Sequence, residues 1–223
     1  MKCIVLCAGY NENEYPKALN IINGKCNLDN IIDNINCISE IDTIYVVTNG
    51  KNYNKFLDWE KNYRSDKVKI INDNTTSPNA KLGAIGDIKY TLNYENIHDD
   101  LFIVAGDAVY DFSFKELYTE YLNKKSAVVA VKKFNDEIDL RQYGIINFDN
   151  NNKVTYMKEK VTEPIGIYMA LALYIFPKET IRIFDYYLSE GNRTTSPGYF
   201  LEYLYNTMPV YAYQIKGNYE VIK

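Results

Sequence analysis

Residues 1–19 read MKCIVLCAGYNENEYPKAL, and the reading of this stretch decides the fold. An apolar run from residue 2 to residue 7 ends in Ala8-Gly9, a polar loop follows, and the segment closes on Pro16-Lys17-Ala18-Leu19. A buried strand that stops at a glycine brings unpaired backbone N–H groups to the edge of a sheet, where Lys17 adds a point charge. Such an edge suits a phosphate. Glu12 and Glu14 put negative charge into the same loop, where it opposes an anion.

Four further runs rich in Val and Ile, at residues 43–48, 68–72, 101–105 and 127–131, read as buried parallel strands. Helical patterns separate them. Leu28, Ile31, Ile32, Ile35 and Ile38 form one apolar stripe, Phe56, Trp59 and Tyr63 a weaker one, and Leu82, Ile85, Ile88 and Leu92 a third. Residues 114–124 give a fourth helix. Strand and helix in alternation predict an α/β fold of right-handed βαβ units, with ligands at the carboxyl ends of the strands. After Val131 the pattern turns antiparallel. Residues 143–148 and 153–158 form a predicted hairpin around Asp149-Asn150-Asn151-Asn152, and residues 165–176 a long strand. Helices at 178–188 and 197–206 and a strand at 210–215 complete the expectation of one domain over residues 1–223.

Composition narrows the function. A net charge of -4 and no basic stripe argue against nucleic acid as a partner. The apolar runs near the N-terminus are too short to span a membrane, and no signal-peptide pattern follows Met1-Lys2, so a cytoplasmic location is expected. Cys3, Cys7, Cys26 and Cys37 form no CxxC pair, and His98 is the single histidine, which leaves a Cys/His zinc site without ligands. Cys3 and Cys7 share a strand face and read as small buried hydrophobes. A lone histidine in a surface loop also disfavours Ser-His-Asp and Cys-His catalysis. Among 22 tyrosines, a group on the last two helices would suit a homodimer seam.

The strand at 101–105 ends in Ala105-Gly106-Asp107. Gly106 lets another backbone or a ligand approach, and Asp107 at the strand tip is placed to hold Mg²⁺ against phosphate oxygens. The plainer reading is a cap for the next loop or helix, beside Asp111 and Ser113.

Leu6-Cys7-Ala8-Gly9, Pro16-Lys17-Ala18-Leu19, Ala105-Gly106-Asp107, Tyr143-Gly144, Glu159-Lys160 and Ala172-Leu173-Tyr174 occur in an order that resembles the sugar-1-phosphate nucleotidylyltransferases and the related phospho-alcohol cytidylyltransferases. The resemblance implies a Rossmann-like nucleotide-diphospho-sugar transferase fold, with a mixed, mostly parallel central sheet. It implies attack by a phosphorylated small-molecule acceptor on the α-phosphorus of a nucleoside triphosphate, with pyrophosphate released. By the same resemblance, Lys17 neutralises the triphosphate, and Ala8, Gly9 and Gly106 face the nucleotide. Asn79, Leu82 and Gly83 belong to a stretch, residues 79–87, that packs on the base. Asp107 binds Mg²⁺, with Glu220 the only acidic substitute for a second ligand near the C-terminus. Gly144 borders the acceptor, Glu159 takes hydrogen bonds from its hydroxyls, and Lys160 binds its phosphate.

Three departures stand out. The loop after Gly9 lacks the family's second glycine and its arginine, Lys160 precedes Val161 instead of proline, and Tyr219 is followed by Glu220 where an aspartate is expected. Two main readings follow, an active nucleotidyltransferase with an altered phosphate grip, or a nucleotide- or sugar-phosphate-binding relative that serves as a regulatory or partner subunit. A third is an interaction domain with a tyrosine-rich surface.

Overall fold

β1 (Lys2–Leu6) runs through the middle of a nine-stranded sheet, and its side chains alternate between two cores. Cys3 and Val5 face one, Ile4 the other. The computed structural model describes residues 1–10, 15–134, 142–163 and 166–222. Glu12 and Glu14 lie outside the described residues, as do Pro164 and Ile165.

After β1 come a short hairpin, β2 (Ile21–Ile22) and β3 (Lys25–Cys26), then α1 (Asn27–Asn36) and β4 (Thr43–Thr48). α2 (Tyr53–Tyr63), β5 (Val68–Asn72), α3 (Ala84–Tyr94) and β6 (Leu101–Ala105) follow. β1 pairs in parallel with β4 on one side and β6 on the other, and β4 with β5. The helical stripes read from the sequence bury in most of their members, although Ile38 falls beyond α1, Leu82 falls before α3, and Trp59 and Tyr63 are half-buried. Leu28, Ile31, Ile32 and Ile35 of α1 and Phe56 of α2 cover the face of Cys3 and Val5, while Ile85, Ile88 and Leu92 of α3 cover the face of Ile4. Burial on both faces is why these strands read as continuous apolar runs.

The second half contains β7 (Ala108–Asp111), α4 (Phe114–Lys124), β8 (Ala127–Lys133), β9 (Gly144–Phe148) and β10 (Val154–Glu159). β11 (Tyr168–Phe176), α5 (Thr180–Ser189), α6 (Pro197–Leu204), β12 (Val210–Gln214) and β13 (Asn218–Val221) complete the chain. β11 is the hinge of the topology. Its second half pairs antiparallel with β6, its first half with β9, and its other edge with β8. The β9–β10 hairpin therefore stands beyond the carboxyl end of β6, and β12 extends the sheet in parallel beside β8. β8 runs on to Lys133 because Tyr168 and Met169 continue the ladder past Val131. No helix among the described residues is long and apolar enough to cross a membrane.

β7 and β13 are absent from the sequence reading. Each has four residues, and they pair only with one another, with α4 through β12 lying between them in sequence. α4 is capped by Ser113, whose side chain accepts from the Lys115 amide at 3.2 Å, which leaves Asp107 free of that duty.

α5 and α6 meet through aromatic packing. Phe200 of α6 stacks on Phe184 of α5 at 3.7 Å between centroids and meets Phe176 and Tyr187 edge-on. Phe200 is buried, so Phe200→Ala removes a whole ring from a filled site. We expect a loss of about 3–5 kcal/mol in denaturant unfolding; a loss below about 1 kcal/mol would contradict this packing.

Candidate functional site

The carboxyl ends of β1 and β6 open on a cleft lined by Ala8, Gly9, Lys17, Gly83, Gly106 and Asp107. Four segments far apart in sequence meet there. The opposite wall comes from Ala172 of β11 and from Thr195 and Pro197 at the start of α6.

Asp107 is held by its neighbours' backbone. The Asn27 side-chain amide donates to the carbonyls of Gly106 (3.2 Å) and Ala108 (3.0 Å), one on each side of it. The Ile222 amide donates to the Asp107 carbonyl at 2.8 Å, and the Gly106 amide to the Leu6 carbonyl at 2.9 Å. The turn is thus tied to α1, β1 and the C-terminal segment at once. Gly106 is required by packing, because a Cβ there would lie 2.3 Å from the Cys7 sulfur. Gly9 is different: an added Cβ would meet nothing within 4 Å. Asn49, at the end of β4, donates to the carbonyls of Ala8 (3.1 Å) and Gly9 (3.4 Å). Among the described residues none accepts a hydrogen bond from the Gly9 amide, which leaves a donor for an anion at the loop.

Gly83 precedes α3 with φ of +78°, and a Cβ there would fall 2.5 Å from the Thr194 carbonyl oxygen. The close approach at Gly83 is therefore that of the Thr194 backbone, which also accepts from the Ile85 amide at 3.0 Å. Asn79 lies exposed in a single 3₁₀ turn, and neither it nor Leu82 lines the cleft; their neighbours Lys81 and Ala84 do.

None of the residues expected at the acceptor lines the cleft of Asp107. Gly144 and Glu159 are register partners at the open end of the β9–β10 hairpin. Glu159 is buried, its carboxylate wedged against Gly144 and Gly198, with one oxygen accepting from the Ser196 hydroxyl at 2.6 Å. Burial raises its proton affinity, opposed by Ser196 and Lys160. Lys160, at φ of +53°, lines a second cavity with Arg193, Tyr199 and Glu202. Glu220 is exposed; the alternation of β13 turns Tyr219, not Glu220, toward the core beside Tyr110. The Tyr219 hydroxyl feels the Asp107 charge, as does that of Tyr110. His98 is exposed beside Asn96, and all four cysteines are free thiols, with Cys3 in the core and Cys7 packed on the same core face.

Asp107 is open to the cleft, yet the surrounding walls desolvate its carboxyl and push its pKa up, opposed by the Lys17 charge. A second pair of carboxyls lies on the α3 side. Asp87, in the first turn of α3, lines the cleft and is only 6% exposed, and Asp73, after β5, is equally buried. Burial, reinforced by Asp73, pushes the Asp87 carboxyl up to about 8. Asn27, Asn49, Asp73 and Asp87 were not singled out by residue type or spacing. A visible sign for Asn49 was its place at the end of a buried strand, as for Gly9 and Asp107.

Two predictions follow from this geometry. Gly9→Ala should leave the melting temperature unchanged, whereas Gly106→Ala should lower it by several degrees; equal effects on stability would refute the distinction. Asp87 holds its proton in the folded state at a pH where an unfolded aspartate, near about 3.9, has lost it. Its contribution to stability is therefore fully present below about pH 4 and is lost as pH rises toward about 8. Asp87→Asn should gain on wild type steadily between pH 5 and pH 8 in thermal unfolding, and a pH-independent difference would contradict the buried pair.

Residues 12–219 match the model of the nucleotidyl transferase family. The chain is 27% identical over 193 residues to a Sulfolobus acidocaldarius protein provisionally named mannose-1-phosphate guanyltransferase, a match that covers 83% of this chain and 51% of the relative. It is 25% identical over 190 residues to the D-glycero-alpha-D-manno-heptose 1-phosphate guanylyltransferase of Campylobacter jejuni, covering 82% of this chain and 79% of that protein. The chain thus spans about half the length of the first of these relatives. In fold it resembles a UDP-glucose pyrophosphorylase solved with UDP-glucose, with a TM-score of 0.80 at 17% identity over 98% of this chain and 91% of the other. A family match that runs from the first loop to β13, on the sheet topology described above, makes this chain a member of the nucleotidyl transferase family.

Proposed function

We propose that the cleft binds a nucleoside triphosphate and that the chain transfers its nucleoside monophosphate to a sugar 1-phosphate or phospho-alcohol, releasing pyrophosphate. The observation that carries this reading is the meeting of Gly9, Lys17, Gly106 and Asp107 in one cleft at the carboxyl ends of adjacent parallel strands. That is where open α/β sheets bind their ligands.

The reaction joins two anions. An oxygen of the acceptor phosphate attacks the α-phosphorus, and the bond to pyrophosphate breaks with the electron pair leaving on pyrophosphate. No protein nucleophile is required, which suits a chain with one histidine on its surface. The protein's part is to place the phosphates and offset their charge, with Lys17 and the Gly9 amide facing the developing negative charge. Asp107 is the residue that would hold Mg²⁺. Among the described residues no group of three His, Cys, Asp or Glu forms a metal cage, and Mg²⁺ suits such a site because it binds through one or two carboxylates together with phosphate oxygens and water. When bound, the ion would screen the phosphates as they approach.

The names of the relatives, guanylyltransferases of mannose 1-phosphate and of a heptose 1-phosphate, support a sugar 1-phosphate as acceptor. A nucleotide-binding relative without catalysis is the second reading. It draws on Glu159, whose carboxylate is already engaged by Ser196, and on Lys160, which lines the other cavity.

A pyrophosphate-release screen of the four nucleoside triphosphates against sugar 1-phosphates and phosphocholine, with Mg²⁺, separates the two. Turnover with at least one pair, reduced about a hundredfold or more by Asp107→Asn, is the expected result. A nucleotide that raises the melting temperature without any turnover would favour the second reading. Failure of every nucleotide to bind would overturn both.

A further inference from the structure

Behind the loop that leaves β1 stands a side chain that does not itself reach the cleft. Asn49 follows β4 and is fully buried; Ala8, Gly9 and Tyr10 line the cleft, and Asn49 does not. Its side-chain nitrogen donates to the carbonyls of two successive residues, Ala8 at 3.1 Å and Gly9 at 3.4 Å. Its side-chain oxygen accepts from the Asn52 amide at 3.0 Å. The reverse orientation would set the oxygen against two carbonyls and the nitrogen against an N–H, so these partners fix which end faces the loop.

Successive carbonyls of a straight strand point to opposite sides, so two that meet one side-chain amide mark a turn of the chain. Both peptide links are trans, and in a trans peptide the N–H points opposite to the C=O. With the Ala8 and Gly9 carbonyls directed at Asn49, the N–H groups of Gly9 and Tyr10 are directed away from it, to the side on which the cleft lies. Among the described residues neither N–H has an acceptor. Successive N–H groups turned the same way form a concavity that binds anions. A carbonyl that accepts a hydrogen bond also polarises its peptide, which strengthens the N–H as a donor.

The loop has a second anchor. The Tyr10 hydroxyl lies 3.1 Å from the Thr75 hydroxyl, which donates to Asp73 at 2.8 Å, so Tyr10 is the donor in the contact with Thr75. The Thr75 carbonyl accepts from the Gly50 amide at 2.7 Å, one residue past Asn49. The segments that follow β4 and β5 are thereby joined, and they grip the loop together.

We propose that Asn49 is the positioning residue of the phosphate site, holding the Gly9 and Tyr10 N–H groups as a ready pair of donors for one phosphate group of the nucleotide. Lys17 contributes charge, and Asn49 contributes direction. A donor pair set before the ligand arrives lowers the ordering cost of binding. This inference rests on the nucleotide reading of the cleft given above and adds to it what holds the loop.

The test is backbone amide NMR of the isotope-labelled chain, titrated with CTP, ATP, GTP and UTP, each with Mg²⁺, and with the four nucleosides. In wild type, the triphosphate that binds most tightly should move the Gly9 and Tyr10 amide protons downfield, and its nucleoside should not. Asn49→Ala should weaken that triphosphate about tenfold or more, leave the affinity of the nucleoside within about twofold, and abolish the two downfield shifts. Equal weakening of triphosphate and nucleoside would mark a merely structural role and overturn the inference. So would Asn49→Ala binding the triphosphate as tightly as wild type, or a triphosphate that binds wild type and leaves both amide protons in place; each of these results would leave the cleft a nucleotide site. The last needs no variant, so it decides the matter even if Asn49→Ala does not fold. Absence of binding by every nucleotide would remove the nucleotide reading and this inference with it.

Discussion

The Asn27 side-chain amide ties Asp107 into the rest of the molecule. It donates to the carbonyls on both sides of Asp107. Asn27 is the first residue of α1, and the apolar stripe of that helix is buried under the central sheet. Hydrophobic burial of Leu28, Ile31 and Ile32 therefore sets where the Asn27 amide stands, and that amide sets the turn that presents Asp107. Phosphoryl transfer depends on positioning more than on covalent chemistry, so a carboxylate held on a turn braced from several sides is worth more than a mobile one. Removing the amide would leave two buried carbonyls without their donor, a penalty paid in the geometry of the one acidic strand tip that the cleft contains.

The same logic governs the glycines of the cleft, which have unlike reasons for being glycine. Gly106 gives way to the Cys7 sulfur, and Gly83 to the Thr194 backbone. Gly9 gives way to nothing among the described residues, which leaves room beside its amide for a ligand. The carboxyls show a matching gradient. Asp107, Glu159, Asp73 and Asp87 all have raised proton affinity, each chiefly through loss of water, and three of them lie at or directly behind the cleft. Groups perturbed in this way cluster at functional sites because binding and catalysis require charge in places where folding alone would not put it.

Much of the parallel half was legible in the sequence. The strands at residues 43–48, 68–72 and 101–105 coincide with β4, β5 and β6, because strands buried on both faces leave uninterrupted runs of Val and Ile. Gly9 and Asp107 could be placed at the sheet edge for a related reason, since each follows a strand end, and Lys17 closes the loop that leaves β1. What escaped was long-range and polar. Asn27 reaches carbonyls about eighty positions away, and β7 exists only because β13 returns to pair with it. No local pattern encodes such contacts. The expected acceptor residues show the opposite limit: Glu159 and Lys160 both border the second cavity, but the Glu159 carboxylate turns inward against Gly198 and is held by Ser196. Lys160 lies just past the end of β10 in the left-handed region, so strand alternation does not set its direction, and a dipeptide motif does not reveal such a turn.

The most direct test of the central claim is a crystal structure grown with a non-hydrolysable nucleoside triphosphate, α,β-methylene-CTP or its adenosine counterpart, and Mg²⁺. The account predicts phosphates against the Gly9 amide and Lys17 and the metal ion on Asp107. A nucleotide seated instead in the cavity of Lys160 and Arg193, or one whose phosphates lie away from both Lys17 and Asp107, would contradict it.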